Sequence, residues 1–165
     1  MATSLGKPSL SSARKYLPVC VLDDEADQLE RTTSWLMNSG FPVLGTTSPQ
    51  EALQKVRMEG CRVLVADLKS PDMDGLAFLE KALQHDPGLQ IVLVSNKYSV
   101  DYAVEAIKRG AHEYLPRPFD LARLEKILDE VAEIQAQRSE VRDLEEKLFK
   151  KLSVSGDRRE ESGDA

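Results

Sequence analysis

The stretch that decides the fold is Val19-Cys20-Val21-Leu22-Asp23-Asp24, in which four apolar residues are followed at once by two acids. Two later segments repeat the pattern of an apolar run that ends in a polar side chain: Val63-Leu64-Val65-Ala66-Asp67 and Ile91-Val92-Leu93-Val94-Ser95. Unbroken apolar runs of this length are typical of parallel strands that helices cover on both faces. The sequence therefore predicts a buried parallel sheet at the centre of the molecule.

The segments between these strands carry apolar residues at helical spacing. Two more mixed segments, 42–46 and 112–115, are predicted as outer strands, and five helices are predicted at 26–39, from Ser48, at 75–85, from Ser99 to Gly110 and after Asp120. The second helix opens with a capping box that carries proline at its first helical position, Ser48-Pro49-Gln50-Glu51. Because crossovers between parallel strands are right-handed, five such units predict an α/β, flavodoxin-like, doubly wound five-stranded sheet of order 2-1-3-4-5.

The strand and helix pattern covers only part of the chain. We expect one domain over 18–132, preceded by a mobile arm over 1–17, which carries no acid and no periodicity. The last helix continues beyond the domain as an extension over 133–152, which fits either coiled-coil pairing or a solvated helix. Residues 153–165 are rich in Ser, Gly and charge and are predicted to be a disordered tail.

Composition excludes several classes of protein. The 165 residues suffice for one domain, and 22 Lys and Arg against 28 Asp and Glu give a net charge of −6, which opposes general binding to nucleic acid or to anionic membranes. No segment is apolar enough to span a bilayer. The two cysteines lie within apolar runs, so no disulfide framework is expected and a cytoplasmic location fits.

Acidic side chains converge at one edge of the predicted sheet. In the order 2-1-3-4-5 the first and third strands are neighbours, and ligands of such sheets lie beyond the carboxyl ends of the strands, here beside Asp23, Asp24 and Asp67. Three carboxylates this close repel one another unless a cation offsets their charge. Their hard oxygen atoms suit Mg²⁺, and no His or Cys is available there for zinc. The alternative is that these acids only cap a helix or end a strand.

Two further groups are predicted at the same edge. Ser95 directly follows the fourth strand, and Arg117 lies two residues after the fifth. A carboxylate nucleophile, a divalent ion, a hydroxyl donor and a cation together are sufficient to receive a phosphoryl group, because that reaction depends on positioning and charge neutralisation. Taken singly, each residue is equally compatible with an ordinary surface role.

These residues resemble the receiver domains of two-component response regulators. The resemblance extends from Pro18 to about Val131 and rests on Ser95 and on three segments: Val21-Leu22-Asp23-Asp24-Glu25, Asp67-Leu68-Lys69-Ser70-Pro71-Asp72-Met73-Asp74-Gly75 and Tyr114-Leu115-Pro116-Arg117-Pro118-Phe119. It implies a phosphoacceptor signalling domain rather than an enzyme. Its phosphoryl donor would be a histidine kinase or a phosphotransfer protein.

The resemblance also assigns roles to individual residues. It implies that Asp67 accepts the phosphoryl group and that Mg²⁺ is held by Asp24 and Asp67, by Asp23 through water and by the backbone carbonyl of Lys69. Ser95 and Tyr114 would change position on phosphorylation, which alters the partners of the surface formed by the fourth predicted helix, the fifth strand and the fifth helix. The resemblance further implies a cis peptide bond before Pro118.

One position departs from the family pattern, since Arg117 stands where the family usually has lysine. Arginine carries a permanent charge but a larger, planar head group, so switching could differ. A second hypothesis is therefore a pseudo-receiver or a constitutive dimerisation or scaffold module. A homodimer through the surface of the fourth helix, fifth strand and fifth helix, or through the C-terminal helix, is compatible with either hypothesis. No motif for an output domain or for direct nucleic-acid binding is visible in this chain.

Two other functions fit less well. A metal-dependent phosphatase using Asp72-Met73-Asp74-Gly75 would need its nucleophile directly after the first strand with an aspartate two residues later, whereas Asp23 is followed by Asp24 and Glu25. A flavodoxin-like cofactor domain would need amide and hydroxyl donors in that loop, which here is acidic.

Overall fold

Five parallel strands form one sheet in the computed structural model, which describes residues 10–70, 74–97 and 99–163. The strands are β1 (Val19–Asp23), β2 (Val43–Thr46), β3 (Val63–Asp67), β4 (Gln90–Ser95) and β5 (Glu113–Pro116). Their order is β2-β1-β3-β4-β5, which confirms the predicted fold class and strand order. The register pairs Asp23 with Asp67, so the two acids occupy adjacent strand tips.

Within the described residues the chain forms six helices, one more than predicted. They are α1 (Leu10–Lys15), α2 (Ala26–Asn38), α3 (Pro49–Glu59), α4 (Gly75–His85), α5 (Val100–Lys108) and α6 (Leu121–Gly163). Half of the capping box forms: the Ser48 side chain accepts from the Glu51 amide, with Pro49 at the first helical position, while the Ser48 amide donates to Thr46 Oγ1 rather than to Glu51. The α3 helix then ends at Gly60, whose positive φ of 67° suits glycine.

Two apolar layers cover the two faces of the sheet. The first contains residues of α1, α2 and α6, and the second contains residues of α3, α4 and α5 together with the free thiols of Cys20 and Cys61. Every residue of β1 and β3 is buried. The acids at the ends of these strands are thus fixed at the rim of the core.

The predicted mobile arm is wrong for the residues that the structure describes. Residues 10–15 form α1, and Ala13 and Leu17 belong to the apolar core, with Leu17 fully buried. Arg14 bonds to α6 and to the end of α2. The arm's first nine residues lie outside the described part of the chain.

Only the first part of the α6 helix packs against the core. Its buried residues end at Ala132, and large apolar side chains beyond that point are exposed. The backbone is helical as far as Gly163, within the stretch predicted as a disordered tail, and residues 164 and 165 lie outside the description. Neither α6 nor any other described helix is long and apolar enough to cross a membrane.

The apolar stripe of α5 faces away from the core. Val100, Val104 and Ile107 are exposed, and Ala106 is the buried residue of this helix. Helical spacing of apolar residues located the helix correctly, yet the stripe marks an outer surface of the domain.

Candidate functional site

Two buried carboxylates mark the carboxyl edge of the sheet. Asp23 is 1% exposed at the end of β1, and Asp67 is 4% exposed at the end of β3. Because each strand is buried along its whole length, the acids lie against low-dielectric core on one side and open to the site on the other. Burying two like charges is costly unless cations are close by.

Lys69 supplies the first of these cations. Its Nζ lies 2.7 Å from Asp23 Oδ1, 3.3 Å from Glu25 Oε2 and 3.8 Å from Asp67 Oδ2. The ammonium therefore contacts acids at the ends of two different strands, β1 and β3. The family resemblance implies a role for the backbone carbonyl of Lys69, and the only signal for its side-chain placement is the proximity of Lys69 to Asp67 in the sequence.

Asp24 connects the loop after β1 to the loop after β3. Its Oδ1 and Oδ2 accept from the Lys69 amide at 3.0 and 2.9 Å, and Oδ2 also accepts from the Ser70 amide at 2.7 Å. The N-cap residue of α2 is Glu25, whose side chain makes no capping bond, while its amide donates to Asp23 Oδ1. A helix-capping role therefore does not account for Asp24, since its carboxylate is directed across the sheet edge.

Arg117 supplies the second cation. Its guanidinium forms an ion pair with Asp67, and its backbone amide donates to the Ser95 carbonyl at 2.9 Å. The following peptide bond, to Pro118, is cis. Burial lowers the pKa of the Arg117 guanidinium, and the charges of Asp23, Asp24 and Glu25 oppose that shift. Among the described residues, Arg117 Nε has no hydrogen-bond partner.

The backbone of Lys97 joins Ser95 to Tyr114. Its amide donates to Ser95 Oγ at 3.1 Å, and its carbonyl accepts from the Tyr114 hydroxyl. Tyr114 also stacks edge-to-face on Tyr102, with ring centroids 5.7 Å apart. The Lys97 ammonium lies 4.5 Å from the centroid of the Tyr102 ring. The hydroxyl, the aromatic side chain and the start of α5 are thus mechanically connected.

Asp67 opens on a cleft of about 390 Å³. Gln28, Asn96, Arg117, Pro118 and Phe119 line the cleft with it. Gln28 and Asn96 were not among the predicted site residues. Asn96 could have been found from its position directly after Ser95, whereas nothing in the sequence distinguishes Gln28 from other residues of α2.

The donor set fits a hard divalent cation. Asp23, Asp24 and Asp67 present carboxylate oxygens, and the close approach of Lys69 shows that they accept a positive charge at this place. As the described side chains stand, no group of three His, Cys, Asp or Glu is arranged to hold a metal, because Asp24 is directed toward backbone amides. Residues 71–73 of the quoted motif lie outside the described part of the chain.

Comparison with known proteins gives a consistent family match. A family model described as the response regulator receiver domain matches residues 19–129. The chain is 34% identical over 106 residues to the C4-dicarboxylate transport transcriptional regulatory protein DctD of Rhizobium meliloti, covering 64% of this chain and 23% of that protein. It is 31% identical to the transcriptional regulatory protein ZraR of Salmonella typhimurium, covering 70% and 26%. The chain thus spans about a quarter of the length of these relatives.

Solved structures agree in fold. A CheY-like response regulator receiver domain protein from Methanospirillum hungatei superposes with a TM-score of 0.68 at 27% identity, covering 75% of this chain and 99% of that one. A response regulator protein from Burkholderia pseudomallei, described with a phosphorylated aspartic acid, a calcium ion and citrate, superposes with a TM-score of 0.62 at 25% identity, covering 74% and 72%.

Proposed function

This chain belongs to the family of response regulator receiver domains, and on that premise we propose that Asp67 accepts a phosphoryl group from the phosphohistidine of a histidine kinase or phosphotransfer protein. The observation that carries the proposal is the setting of Asp67. Its carboxylate is almost fully buried, lies between two cations and opens on a cleft.

The reaction needs an exposed path to one oxygen and neutralisation of charge. An Asp67 oxygen attacks the phosphorus, the N–P bond of the phosphohistidine breaks and an acyl phosphate forms. Arg117 lies beside the attacking carboxylate and carries a charge suited to phosphoryl oxygens. Asp23, Asp24 and Asp67, with the Lys69 carbonyl, would hold Mg²⁺, which neutralises phosphoryl charge when bound. The phosphorylated aspartic acid and calcium ion of the Burkholderia relative support this assignment.

Switching follows from the bonds made by Lys97. When the Ser95 hydroxyl donates a hydrogen bond to a phosphoryl oxygen on Asp67, the Ser95 side chain moves away from the Lys97 amide. The Lys97 carbonyl accepts from the Tyr114 hydroxyl. A change at Ser95 therefore reaches Tyr114 and α5 through a single residue. The exposed stripe of Val100, Val104 and Ile107 is the surface on which a partner would detect the change.

Phosphorylation of Asp67 is tested with acetyl phosphate or a kinase in the presence of Mg²⁺. Wild type should gain one phosphate that hydroxylamine removes, as an acyl phosphate requires, and Asp67→Asn should gain none. Asp101→Asn, a change in the first turn of α5, is the matched control and should behave as wild type. Equal incorporation into Asp67→Asn would place the phosphate elsewhere and contradict the proposal.

A constitutive scaffold is the second candidate, because Arg117 already pairs with Asp67 in place of the usual lysine. The two candidates differ in partner affinity with and without phosphodonor. A phosphorylation-dependent shift supports the switch, while equal affinity supports the scaffold.

A second copy of the chain is the proposed partner of the α6 extension. Ile134, Val141 and Leu148 recur every seven residues and are exposed, with Leu144 between the last two. Sedimentation velocity should give a dimer for the full chain and a monomer for a chain ending at residue 132. A monomeric full chain would contradict this pairing.

A further inference from the structure

The Lys69 ammonium lies at the point where the candidate metal ligands converge. It contacts the buried Asp23 carboxylate at 2.7 Å and is 3.8 Å from Asp67 Oδ2. The side chain of Lys69 is 21% exposed, while those of Asp23 and Asp67 are 2% and 6% exposed. An ammonium among such carboxylates is held by both charge and hydrogen bonding.

The backbone of the same loop binds the third candidate ligand. Both Asp24 oxygens accept from the Lys69 amide, and one also accepts from the Ser70 amide. Asp23 Oδ1 is likewise bonded, to Lys69 Nζ and to the Glu25 amide. Several ligand oxygens are therefore already engaged with residues of this chain.

We propose that Lys69 is a built-in competitor of Mg²⁺, whose ammonium neutralises the carboxylates when the metal is absent and leaves when the metal binds. The inference rests on the proposed function, which includes a Mg²⁺ site. Mg²⁺ requires oxygen ligands at about 2.0–2.1 Å in octahedral geometry. An ammonium 2.7 Å from Asp23 and 3.8 Å from Asp67 lies among the oxygens that would hold the metal, and two cations so close repel each other. Lys69 therefore sets the Mg²⁺ concentration at which the site fills.

Calorimetric titration with MgCl₂ tests the competition directly. Lys69→Met removes the charge and keeps the apolar stem, and it should bind Mg²⁺ about tenfold more tightly than wild type, because no cation has to be displaced. Lys97→Met is the matched control: it removes one charge from the same sheet edge, but the Lys97 ammonium lies over the Tyr102 ring and makes no ion pair within the described residues. Its affinity should stay close to that of wild type. An Mg²⁺ affinity of Lys69→Met equal to or weaker than that of Lys97→Met would overturn the proposal.

Amine labelling of wild type gives an independent readout that needs no variant, so the proposal stays testable if Lys69→Met does not fold. Acetylation by an N-hydroxysuccinimide ester, followed by mass spectrometry, should show slow labelling of Lys69 without metal and faster labelling in saturating Mg²⁺. Lys97 should label at one rate in both conditions. A Lys69 rate that Mg²⁺ leaves unchanged or slows would contradict displacement of the ammonium.

The outcomes separate this inference from the proposed function. Mg²⁺ binding with equal affinity in wild type and both variants would reject the role of Lys69 and leave the metal site standing. Absence of Mg²⁺ binding in all three proteins would reject the metal part of the proposed function together with the inference.

Discussion

Two clusters of paired charges lie at opposite ends of the sheet and are built differently. At the amino end, Arg14 Nε and Nη2 each donate to Asp129 at 2.7 Å, and Nη1 donates to the Ser39 carbonyl at 2.7 Å. Its guanidinium also lies 5.1 Å from the centroid of the Phe41 ring. At the carboxyl end, four acids, Asp23, Asp24, Glu25 and Asp67, surround the two cations Lys69 and Arg117.

We interpret the Arg14 cluster as structural and the carboxyl-end cluster as functional. The Arg14 cluster joins α1, α2 and α6 with directed hydrogen bonds. In the carboxyl-end cluster Asp23 and Asp67 are almost fully buried and Asp67 opens on a cleft, whereas Glu125 and Asp129 of the Arg14 cluster are partly exposed. Buried carboxylates are costly, and they are concentrated at functional sites. Three predictions test this distinction.

The largest effect is expected at Arg117. Arg117→Ala removes the cation beside Asp67, and because oriented charge supplies much of the catalysis of phosphoryl transfer, the initial rate of phosphorylation should fall about 100-fold. The initial rate of phosphorylation by acetyl phosphate, compared between wild type and variant, measures this fall. Arg109→Ala, which removes an exposed arginine paired with Glu80 and Glu105, should keep the wild-type rate. An undiminished rate in Arg117→Ala would remove the functional role assigned to this cation.

The second effect is on stability at the other end of the sheet. Arg14→Met leaves Asp129 and Glu125 without their partner, so the free energy of unfolding should fall by about 2 kcal/mol in urea denaturation. Phosphorylation should be unchanged. Lys15→Met, at the next position of α1, serves as control and should cost little. A loss of phosphorylation at full stability would show that the two clusters have been assigned the wrong way round.

The third effect compares one chemical change in both clusters. In the absence of metal, Asp67→Asn should raise the free energy of unfolding by about 1 kcal/mol, because it reduces repulsion among four acids. Asp129→Asn should lower the free energy of unfolding, because it weakens the bidentate bond to Arg14. Urea denaturation in the presence of EDTA measures both changes in the free energy of unfolding. Changes of the same sign would contradict the distinction between the clusters.

The carboxyl-end cluster was largely predictable, because its parts are local in the sequence. Apolar runs that end in Asp23 and Asp67 predict both the buried strands and the edge where their acids meet. The parallel register then brings residues that are 44 positions apart to adjacent strand tips. The placement of the Lys69 side chain was not predictable, since a flexible lysine on a loop can reach several carboxylates.

The amino-end cluster was not predictable for a different reason. The α1 helix has only six residues, too few for a clear apolar period, and it is held by Arg14 bonded to an acid 115 positions away. Trp35 donates from Nε1 to Glu125 at 3.0 Å in the same region. Long-range pairs of this kind leave no pattern in a single sequence.

The α6 helix continues without a break from the domain into the extension. From residue 133 to Gly163 the helix extends about 46 Å at 1.5 Å per residue. If α6 tilted by about 5° at the bond between Arg14 and Asp129, the distal end of the helix would move about 4 Å sideways. A small change of orientation at this contact would therefore produce a larger displacement at the far end of the helix.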